Sequence, residues 1–290
     1  MILQLLLTIS KSEYKLDFSY MAQNLVQLKN EYLDQFHSYN HIREFIPIPN
    51  YQSLFDKTLL EKLHTFFKYN KIYHKEQSLA LSNIPCISYE GDINQFWLSS
   101  KKYDTSYQPF LPTWGLSALV MILVTKDLGF ENIIDIGSGD GRLIFCGSIL
   151  GLNSVGVEID KDLCDLQNEI SISSKVKYEV INGDSNSIDY SQFKLENTMV
   201  FISALPELGE MLSYSIINQF KKYREILHNV GITLMGSHTH RRYSRDKSMC
   251  GWGKFMDDSG LKIEECVSLP SSWTLDEKTE TPYLFTLFKY

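Results

Sequence analysis

The chain has 290 residues, which is enough for one or two domains with a sizeable core. Hydrophobic residues make up 43% and charged residues 22%, and 17 Tyr and 16 Phe are present, which is typical of a folded protein rather than a disordered one. A formal net charge of -7 gives no general attraction to nucleic acid and disfavours a DNA or RNA partner.

The five cysteines are widely spaced and include no CxxC pair. Their odd number and spacing argue against a disulfide framework and against a zinc site, so we expect no metal and a reducing, cytoplasmic location. The apolar run at residues 1–9 is too short to span a bilayer and lacks the basic region and cleavage site of a signal peptide. We therefore expect no membrane partner, and the pattern predicts no particular oligomeric state.

The first part of the chain carries helical patterns. Apolar side chains at helical spacing predict one helix near residues 25–36 and a second near residues 55–67. Ser53 and Asp56 resemble a capping box ahead of the second helix.

Polar composition predicts that residues 83–92 form a loop rather than a strand or helix. No residue before position 106 belongs to a recognisable chemical motif. We therefore expect two units, a mainly helical N-terminal extension over residues 1–105 and an α/β domain over residues 106–290.

From Thr113 onward, short apolar runs that predict buried strands alternate with helical patterns, which is typical of a parallel sheet with helices on both faces. Thr113 is placed to cap the first of these helices, and Pro206 to begin a long one that ends near His228. The last two strands are joined without a clear helix, so we expect them to pair antiparallel. The predicted strands are 132–136, 154–159, 176–181, 198–202, 232–235, 261–269 and 283–288.

The most informative segment is Asp135-Ile136-Gly137-Ser138-Gly139-Asp140-Gly141-Arg142, which follows the first predicted strand of the domain and opens a helix. Glycines at such a bend let the backbone approach a ligand closely, because no Cβ intervenes. Glu158 ends the next strand, 19 residues after Gly139, where its carboxylate can accept hydrogen bonds from ribose hydroxyls. Asp184 follows the third strand, in a position suited to contact with an adenine ring.

The glycines at 137, 139 and 141 form GxGxG preceded by an acid, which differs from the GxGxxG of a dinucleotide-binding loop. Together with Glu158 and the Gly183-Asp184 pair on successive strand ends, this pattern resembles the class I methyltransferases that use S-adenosylmethionine (SAM). The resemblance covers residues 106–290 and implies a seven-stranded, mostly parallel α/β sheet with an antiparallel C-terminal hairpin, and SAM as cofactor. The alternative is a Rossmann-like domain whose glycines merely make a turn.

The resemblance also implies a role for each motif residue. Asp135 would orient the glycine loop and the amino group of the cofactor, and Gly137 and Gly139 would lie under the methionine moiety. Glu158 would hold the ribose, and Asp184 would face the adenine. The cofactor-binding residues expected on this basis are Phe110, Thr113, Asp135, Gly137, Ser138, Gly139, Glu158, Ile159, Asp184 and Ser185.

A narrower resemblance concerns the methyl acceptor. Phe110-Leu111-Pro112-Thr113, the run at 137–142 and Gly156-Val157-Glu158-Ile159-Asp160 are similar to segments of the small protein-lysine methyltransferases of archaea and their mitochondrial relatives. This implies transfer to a protein lysine or another amine. Two features depart from that group, namely the N-terminal extension and the run Ser203-Ala204-Leu205-Pro206, which matches no catalytic signature. The lack of Asn/Asp-Pro-Pro-Tyr at this run disfavours amide and adenine-N6 acceptors.

Methyl transfer from SAM is an in-line displacement, so the protein chiefly positions the nucleophile. An attacking amine must be neutral and therefore needs a less polar pocket or a nearby proton acceptor. Aromatic rings could hold an alkyl-ammonium group, although simple packing is the alternative for them. The candidate pocket residues are Tyr107, Phe110, Trp114, Ser203 and His238, and the predicted catalytic residues among them are Tyr107, Ser203 and His238.

Three functions stay open at this point. The first is a SAM-dependent methyltransferase acting on a protein lysine or another amine, and the second is a small-molecule or RNA methyltransferase whose basic loop 241–245 contacts phosphate. The third is a non-catalytic SAM-binding interaction module. For the enzymes, we expect the N-terminal helices to cover the carboxyl edge of the sheet and select the acceptor. The alternative is that these helices complete the core.

Overall fold

The computed structural model describes residues 16–35, 42–49, 54–92, 112–223, 229–237, 250–270 and 280–288. These residues form a three-stranded sheet and a seven-stranded sheet with helices packed against them. In chain order the elements are α1 (Phe18–Gln35), β1 (Ile42–Pro47), α2 (Lys57–Tyr69), β2 (Tyr73–Leu81), β3 (Ile84–Gly91), α3 (Gly115–Asp127), β4 (Asn132–Ile136), α4 (Arg142–Ile149), β5 (Asn153–Glu158), α5 (Lys161–Ser174), β6 (Glu179–Asn182), a 3-10 turn (Tyr190–Gln192), β7 (Thr198–Ile202), α6 (Pro206–Phe220), β8 (Val230–Met235), α7 (Gly253–Ser259), β9 (Leu261–Pro270) and β10 (Glu280–Phe288).

The large sheet has the strand order β6-β5-β4-β7-β8-β10-β9. Strands β4 to β8 run parallel, and β10 pairs antiparallel with both β8 and β9. This confirms the predicted seven-stranded, mostly parallel sheet with an antiparallel C-terminal hairpin. Ile136 of β4 lies opposite Val157 of β5 and Ile202 of β7, so the carboxyl ends of these strands line up at one edge.

The centre of the sheet is covered on both faces, as its sequence predicts. Strands β4 and β7 bury all of their residues, which fits their continuous apolar runs. Helix α3 is apolar on nearly every side and is buried along most of its length, because it packs against both α1 and α4. The pattern of burial therefore follows the layered arrangement expected of an α/β sheet.

The N-terminal part contains both predicted helices, α1 and α2, together with a sheet that the sequence did not indicate. Strands β1, β3 and β2 pair antiparallel in that order. The prediction of a loop over 83–92 is wrong, since residues Ile84–Gly91 form β3. Strand β2 lies at the edge of this sheet and is buried at little more than its two ends, so it lacks the apolar alternation that identifies a half-buried strand.

The helices of this N-terminal part share a core with the large sheet. Helix α1 packs against β9 and α3, and α2 packs against α4 and α5. The ring of Phe66 in α2 lies 4.9 Å from that of Phe145 in α4, and Leu25 belongs to the same buried cluster. The packing therefore supports the alternative that these helices complete the core. The division at residue 105 stays a prediction.

Several element ends differ from the predicted ones. Thr113 does not cap α3, because Trp114 occupies the N-cap position without a side-chain bond and the amide of Gly115 donates instead to Glu44, at 2.9 Å. Asp56 caps α2 by accepting from the Thr58 amide, whereas Ser53 lies outside the described residues. The long α-helix begins at Pro206 as predicted but ends at Phe220 rather than near His228.

Two further differences concern the third predicted strand and a helix near the C-terminal hairpin. The third predicted strand is shorter and later, at Glu179–Asn182, and helix α7 was not predicted. Of the helices that the structure describes, none combines the length and apolar character that crossing a membrane requires.

Candidate functional site

The candidate site lies at the carboxyl ends of β4, β5, β6 and β7, which are neighbours in the sheet. Asp135 is the penultimate residue of β4, and residues 137–142, called the glycine loop below, follow this strand. Glu158 ends β5, Asp184 follows β6, and Ser203 follows β7. Parallel strands present these ends at a single edge, where ligands bind in open α/β sheets. The structure therefore brings the main predicted site residues together.

The glycine loop uses left-handed backbone at each of its glycines, with φ of +74° at Gly137, +57° at Gly139 and +82° at Gly141. Such φ values favour glycine because other residues are strained there. The space around these glycines differs along the loop. A Cβ on Gly141 would lie 2.9 Å from Gln167, whereas a Cβ on Gly137 would meet no atom within 4 Å. Gly137 therefore faces open space that a ligand can enter.

Five of the six backbone N–H groups in the glycine loop donate within the protein. Their acceptors are the Val157 carbonyl for Gly137 and Ser138, at 2.8 and 3.1 Å, the Glu158 carboxylate for Gly139, at 2.8 Å, the Ser138 carbonyl for Gly141, at 2.8 Å, and the Asp140 carboxylate for Arg142, at 3.3 Å. A phosphate-binding loop presents free N–H groups to its ligand. The bonding pattern therefore argues against a dinucleotide pyrophosphate site.

Asp135 is a buried carboxylate with an unsatisfied oxygen. It is 1% exposed, and its Oδ1 has no hydrogen-bond partner among the described residues. Burial, with smaller contributions from the charges of Glu158 and Asp140, raises the pKa of Asp135 to about 8. Leaving such a group unpaired is costly. A cationic ligand group placed beside it would supply both the missing donor and the missing charge.

Glu158 is held in a fixed orientation by the backbone on either side. Its Oε2 accepts from the Gly139 amide at 2.8 Å, and its Oε1 accepts from the Asp160 amide at 2.9 Å. Burial raises the pKa of this carboxyl, and the two amide bonds oppose the rise. A carboxylate has about four lone-pair sites, so both oxygens can accept further hydrogen bonds. Glu158 is thus preorganised to receive hydroxyl donors.

The other predicted cofactor residues differ in where they point. The hydroxyl of Ser138 turns inward and donates to Gln167 at 3.1 Å. Asp184 is exposed, and its Oδ1 accepts from the amide of Asn186 at 2.9 Å. Ile159 and Ser185 are both partly exposed beside them.

Among the predicted pocket residues, Ser203 is partly exposed, but its Oγ is buried and has no hydrogen-bond partner among the described residues. Trp114 is a core residue, 1% exposed, whose ring packs 4.7 Å from that of Phe45. Thr113 is nearly buried, and its carbonyl accepts from Arg142. Tyr107, Phe110, His238 and the basic loop 241–245 lie outside the described residues, so their roles stay predictions.

Three residues that reach the glycine loop were not indicated by any motif. Glu44, Asn70 and Tyr73 come from the N-terminal part of the chain and bond Asp140 or Arg142. The contacts join residues about 70 to 98 positions apart in the chain. A single sequence carries no local signal for pairing over such separations.

Within the described ranges, no group of three or more His, Cys, Asp or Glu residues is arranged to hold a metal ion. A groove of about 680 Å³ runs between the polar face of α1 and strands β9 and β10. Its lining includes none of the motif residues at the carboxyl edge of the sheet.

Comparisons with known proteins return structures but no sequence relatives. No family model matches the chain, and no curated protein matches it. An RNA methyltransferase from Salinibacter ruber in complex with S-adenosyl-L-homocysteine is 19% identical, covers 62% of this chain and 95% of its own, and has a TM-score of 0.41. A putative RNA methyltransferase from Pyrococcus horikoshii is 17% identical, with coverage of 68% and 99% and a TM-score of 0.44.

A third structure, magnesium protoporphyrin IX methyltransferase from Synechocystis PCC 6803 with bound SAM, is 14% identical over 60% of this chain and 78% of its own, with a TM-score of 0.44. Similarities of this strength carry no conclusion about chemistry. The function proposed below therefore rests on the strand order and the site residues of this chain.

Proposed function

We propose that this chain binds SAM at the carboxyl ends of β4 and β5 and transfers its methyl group to an acceptor. The observation that carries the proposal is the unpartnered, buried oxygen of Asp135 beside the open face of Gly137, with Glu158 fixed on the next strand end. SAM has an ammonium group that can pair with Asp135, and its ribose hydroxyls can donate to Glu158. Its methionine chain can pass over Gly137.

The electrostatics of the site favour such a ligand. Asp135 and Glu158 are both buried, and the charge of Glu158 raises the cost of ionising Asp135. A ligand with an ammonium and a sulfonium group lowers that cost, whereas a phosphate group would increase it. When bound, SAM supplies an electrophilic methyl group, and the protein needs only to hold the acceptor in line with it.

The acceptor in this proposal is an amine, with a protein lysine as the leading candidate. The short segments similar to protein-lysine methyltransferases support it. Ser203 also supports it, because its unpartnered Oγ at the end of β7 can accept a hydrogen bond from an attacking N–H group. A small molecule, an RNA or a purely binding role are the alternatives, and each predicts a different result in the experiments below.

Calorimetric titration of the full chain with SAM tests the cofactor. Gly137→Ala gives the sharpest variant, because the added methyl group would occupy the open space that the cofactor is proposed to cross. Gly151→Ala is a matched control, since Gly151 also has positive φ, +84°, and no atom within 4 Å of a Cβ. The two variants should lose similar stability, about 1–2 kcal/mol, but only Gly137→Ala should lose SAM binding. Equal SAM affinity in both variants would contradict the proposed site.

Incubation with radiolabelled SAM and a cell extract, followed by separation into protein, RNA and small molecules, identifies the acceptor class. Label in protein that is stable to base and lost when lysines are chemically blocked beforehand supports the amine proposal. Label confined to RNA or to small molecules would overturn the lysine assignment while keeping the enzyme. SAM binding without transfer to any fraction would instead support a binding module.

A further inference from the structure

A buried charged cluster joins the N-terminal part of the chain to the glycine loop. Its centre is the guanidinium of Arg142, the last residue of that loop, which is 3% exposed. All five guanidinium N–H donors have acceptors. The acceptors are Asp140 for Nε, at 2.9 Å, Asp140 and the Tyr73 hydroxyl for Nη2, at 2.6 and 3.1 Å, and Glu44 and the Thr113 carbonyl for Nη1, the first at 2.6 Å.

Glu44 is the most deeply buried residue of this cluster. It is fully buried in β1, and its second oxygen accepts from the Gly115 amide at 2.9 Å, which satisfies the first N–H of α3. Burial raises the pKa of Glu44 to about 7, although Arg142 and the Gly115 bond oppose the rise. One carboxylate thus fixes both the arginine of the loop and the start of a central helix.

Asp140 connects this cluster to the backbone that faces the ligand. Its Oδ2 accepts from Nδ2 of Asn70, the C-cap residue that follows α2, at 2.8 Å. The neighbouring Gly139 is held from the opposite side, since its amide donates to Glu158 and its carbonyl accepts from Gln167 at 2.8 Å. The position of the loop is therefore set jointly by the sheet, by α5 and by the N-terminal part.

We propose that Glu44, Asn70 and Tyr73 are positioning residues of the cofactor site, so that the N-terminal part helps to build the SAM site. The proposal rests on the proposed function. It adds to that function because it gives the N-terminal part a role other than covering the carboxyl edge of the sheet. None of the three residues is expected to touch the cofactor. They act through Asp140 and Arg142, which they hold in the orientation that leaves Gly137 open and Glu158 aligned.

A matched pair of tyrosines separates positioning from simple stabilisation. Tyr73 and Tyr89 are both buried in the three-stranded sheet, and their rings lie 5.1 and 5.3 Å from that of Phe67. The Tyr73 hydroxyl accepts from Arg142, whereas the Tyr89 hydroxyl bonds Nδ1 of His64 at 2.7 Å. Tyr73→Phe and Tyr89→Phe each remove one buried hydroxyl and keep the ring. Any difference between them in SAM binding therefore reports on the link to the loop.

The experiment measures three quantities in the full chain: thermal unfolding, calorimetric SAM affinity and hydrogen exchange of the amides in residues 137–142. Tyr73→Phe should weaken SAM binding about fivefold, as expected for the loss of one hydrogen bond, and should speed exchange in the loop. Tyr89→Phe should leave both unchanged even where it lowers the unfolding temperature. Glu44→Gln should weaken binding further, and if this variant does not fold, Tyr73→Phe still decides.

The possible outcomes separate the two proposals. Wild-type SAM affinity and wild-type loop exchange in Tyr73→Phe overturn the positioning role, whatever the change in unfolding temperature. Equal loss of affinity in Tyr73→Phe and Tyr89→Phe also overturns it, because the effect would then be general. If the wild-type chain does not bind SAM, the proposed function fails. In that case faster loop exchange in Tyr73→Phe alone still supports positioning of the loop.

Discussion

Asp135 and Asp140 lie five residues apart on either side of the first glycines of the loop, and each is 1% exposed. Asp140 accepts from Arg142 through both oxygens and from Asn70, so its charge is balanced inside the protein. Asp135 has an oxygen with no partner among the described residues and a neighbouring acid in Glu158. Two carboxylates with similar burial thus differ in whether the protein supplies their hydrogen-bond donors and counter-charge. The fold supplies the partners of Asp140, whereas in the proposed function a ligand supplies the partner of Asp135.

The largest effect is expected when the cation that balances the charge of Asp140 is removed. Arg142→Met should reduce the free energy of unfolding by about 3–5 kcal/mol, because Glu44 and Asp140 would be left buried without a counter-charge. Denaturant unfolding measures it. Lys161→Met is a suitable control, since it removes the cation of an exposed pair with Asp165 and should have no measurable effect. A loss as small for Arg142→Met would mean that the cluster does not hold the fold.

Glu158→Gln tests the proposed contact between Glu158 and the ribose of SAM. SAM binding should weaken by on the order of 2 kcal/mol, about thirtyfold, because a charged acceptor for the ribose hydroxyls is replaced by a neutral one. Glutamine has only one side-chain oxygen, so either the Gly139 or the Asp160 amide loses its acceptor, and the unfolding temperature should also fall. Glu131→Gln, an exposed residue just before β4 at the opposite end of the strand, serves as the control in the same calorimetric titration. Unchanged affinity in Glu158→Gln would remove the ribose assignment.

SAM affinity should rise with pH if Asp135 receives the ammonium group. With a pKa of about 8, Asp135 is mostly protonated in the free protein near neutral pH and must lose its proton to pair with a cation. Between pH 6 and pH 7 the ionised fraction, and hence the affinity, should rise about tenfold. Titration in two buffers of different ionisation enthalpy should show proton release at pH 7. Affinity independent of pH over this range would mean that Asp135 does not lose a proton when SAM binds, which contradicts this prediction.

The smallest effect concerns the stability of the free protein. The folded-state pKa of Asp135 is raised above its unfolded value, so its protonation stabilises the fold and this contribution is lost as pH rises through about 8. Between pH 7 and pH 9 the loss should be about 1.4 kcal/mol. Asp135→Asn should lack this loss and therefore become more stable relative to the wild type at pH 9, while binding SAM more weakly. Parallel unfolding curves for the two proteins at both pH values would contradict the unpaired state of Asp135.

The residues at the carboxyl ends of the strands could be located from the sequence because their signals are local, although their binding roles stay predictions. Asp135, the glycines and Glu158 follow strand ends whose apolar runs are easily recognised, and the parallel pairing of those strands brings them together. The same reasoning predicted most of the large sheet and its reversed hairpin. Ser138 stays a predicted cofactor contact, and the bond from its hydroxyl to Gln167 is a feature that only the packing of α5 reveals.

The contacts that balance the charges of Asp140 and Arg142 could not be predicted, because the residues that make them are far apart in the chain. Glu44 is one of two charged residues in the short apolar segment Ile42–Pro47, and nothing near it indicates a bond to Arg142. The sheet that carries it was missed for a related reason. Strand β2 is largely exposed on both faces, so its composition is polar, and β3 was mistaken for a loop. Tertiary pairing, and not local pattern, decides both features.

The packing of α1 against β9 also has a consequence for synthesis of the chain. The apolar face of α1, which includes Leu25 and Leu28, is completed by a strand that begins at Leu261. A ribosome adding roughly 5–20 residues per second needs on the order of ten seconds or more to cover that separation. Throughout this interval the first helix has no native partner in β9. The apolar face of α1 therefore stays incompletely buried until β9 has been made, even after α3 is available to pack against it.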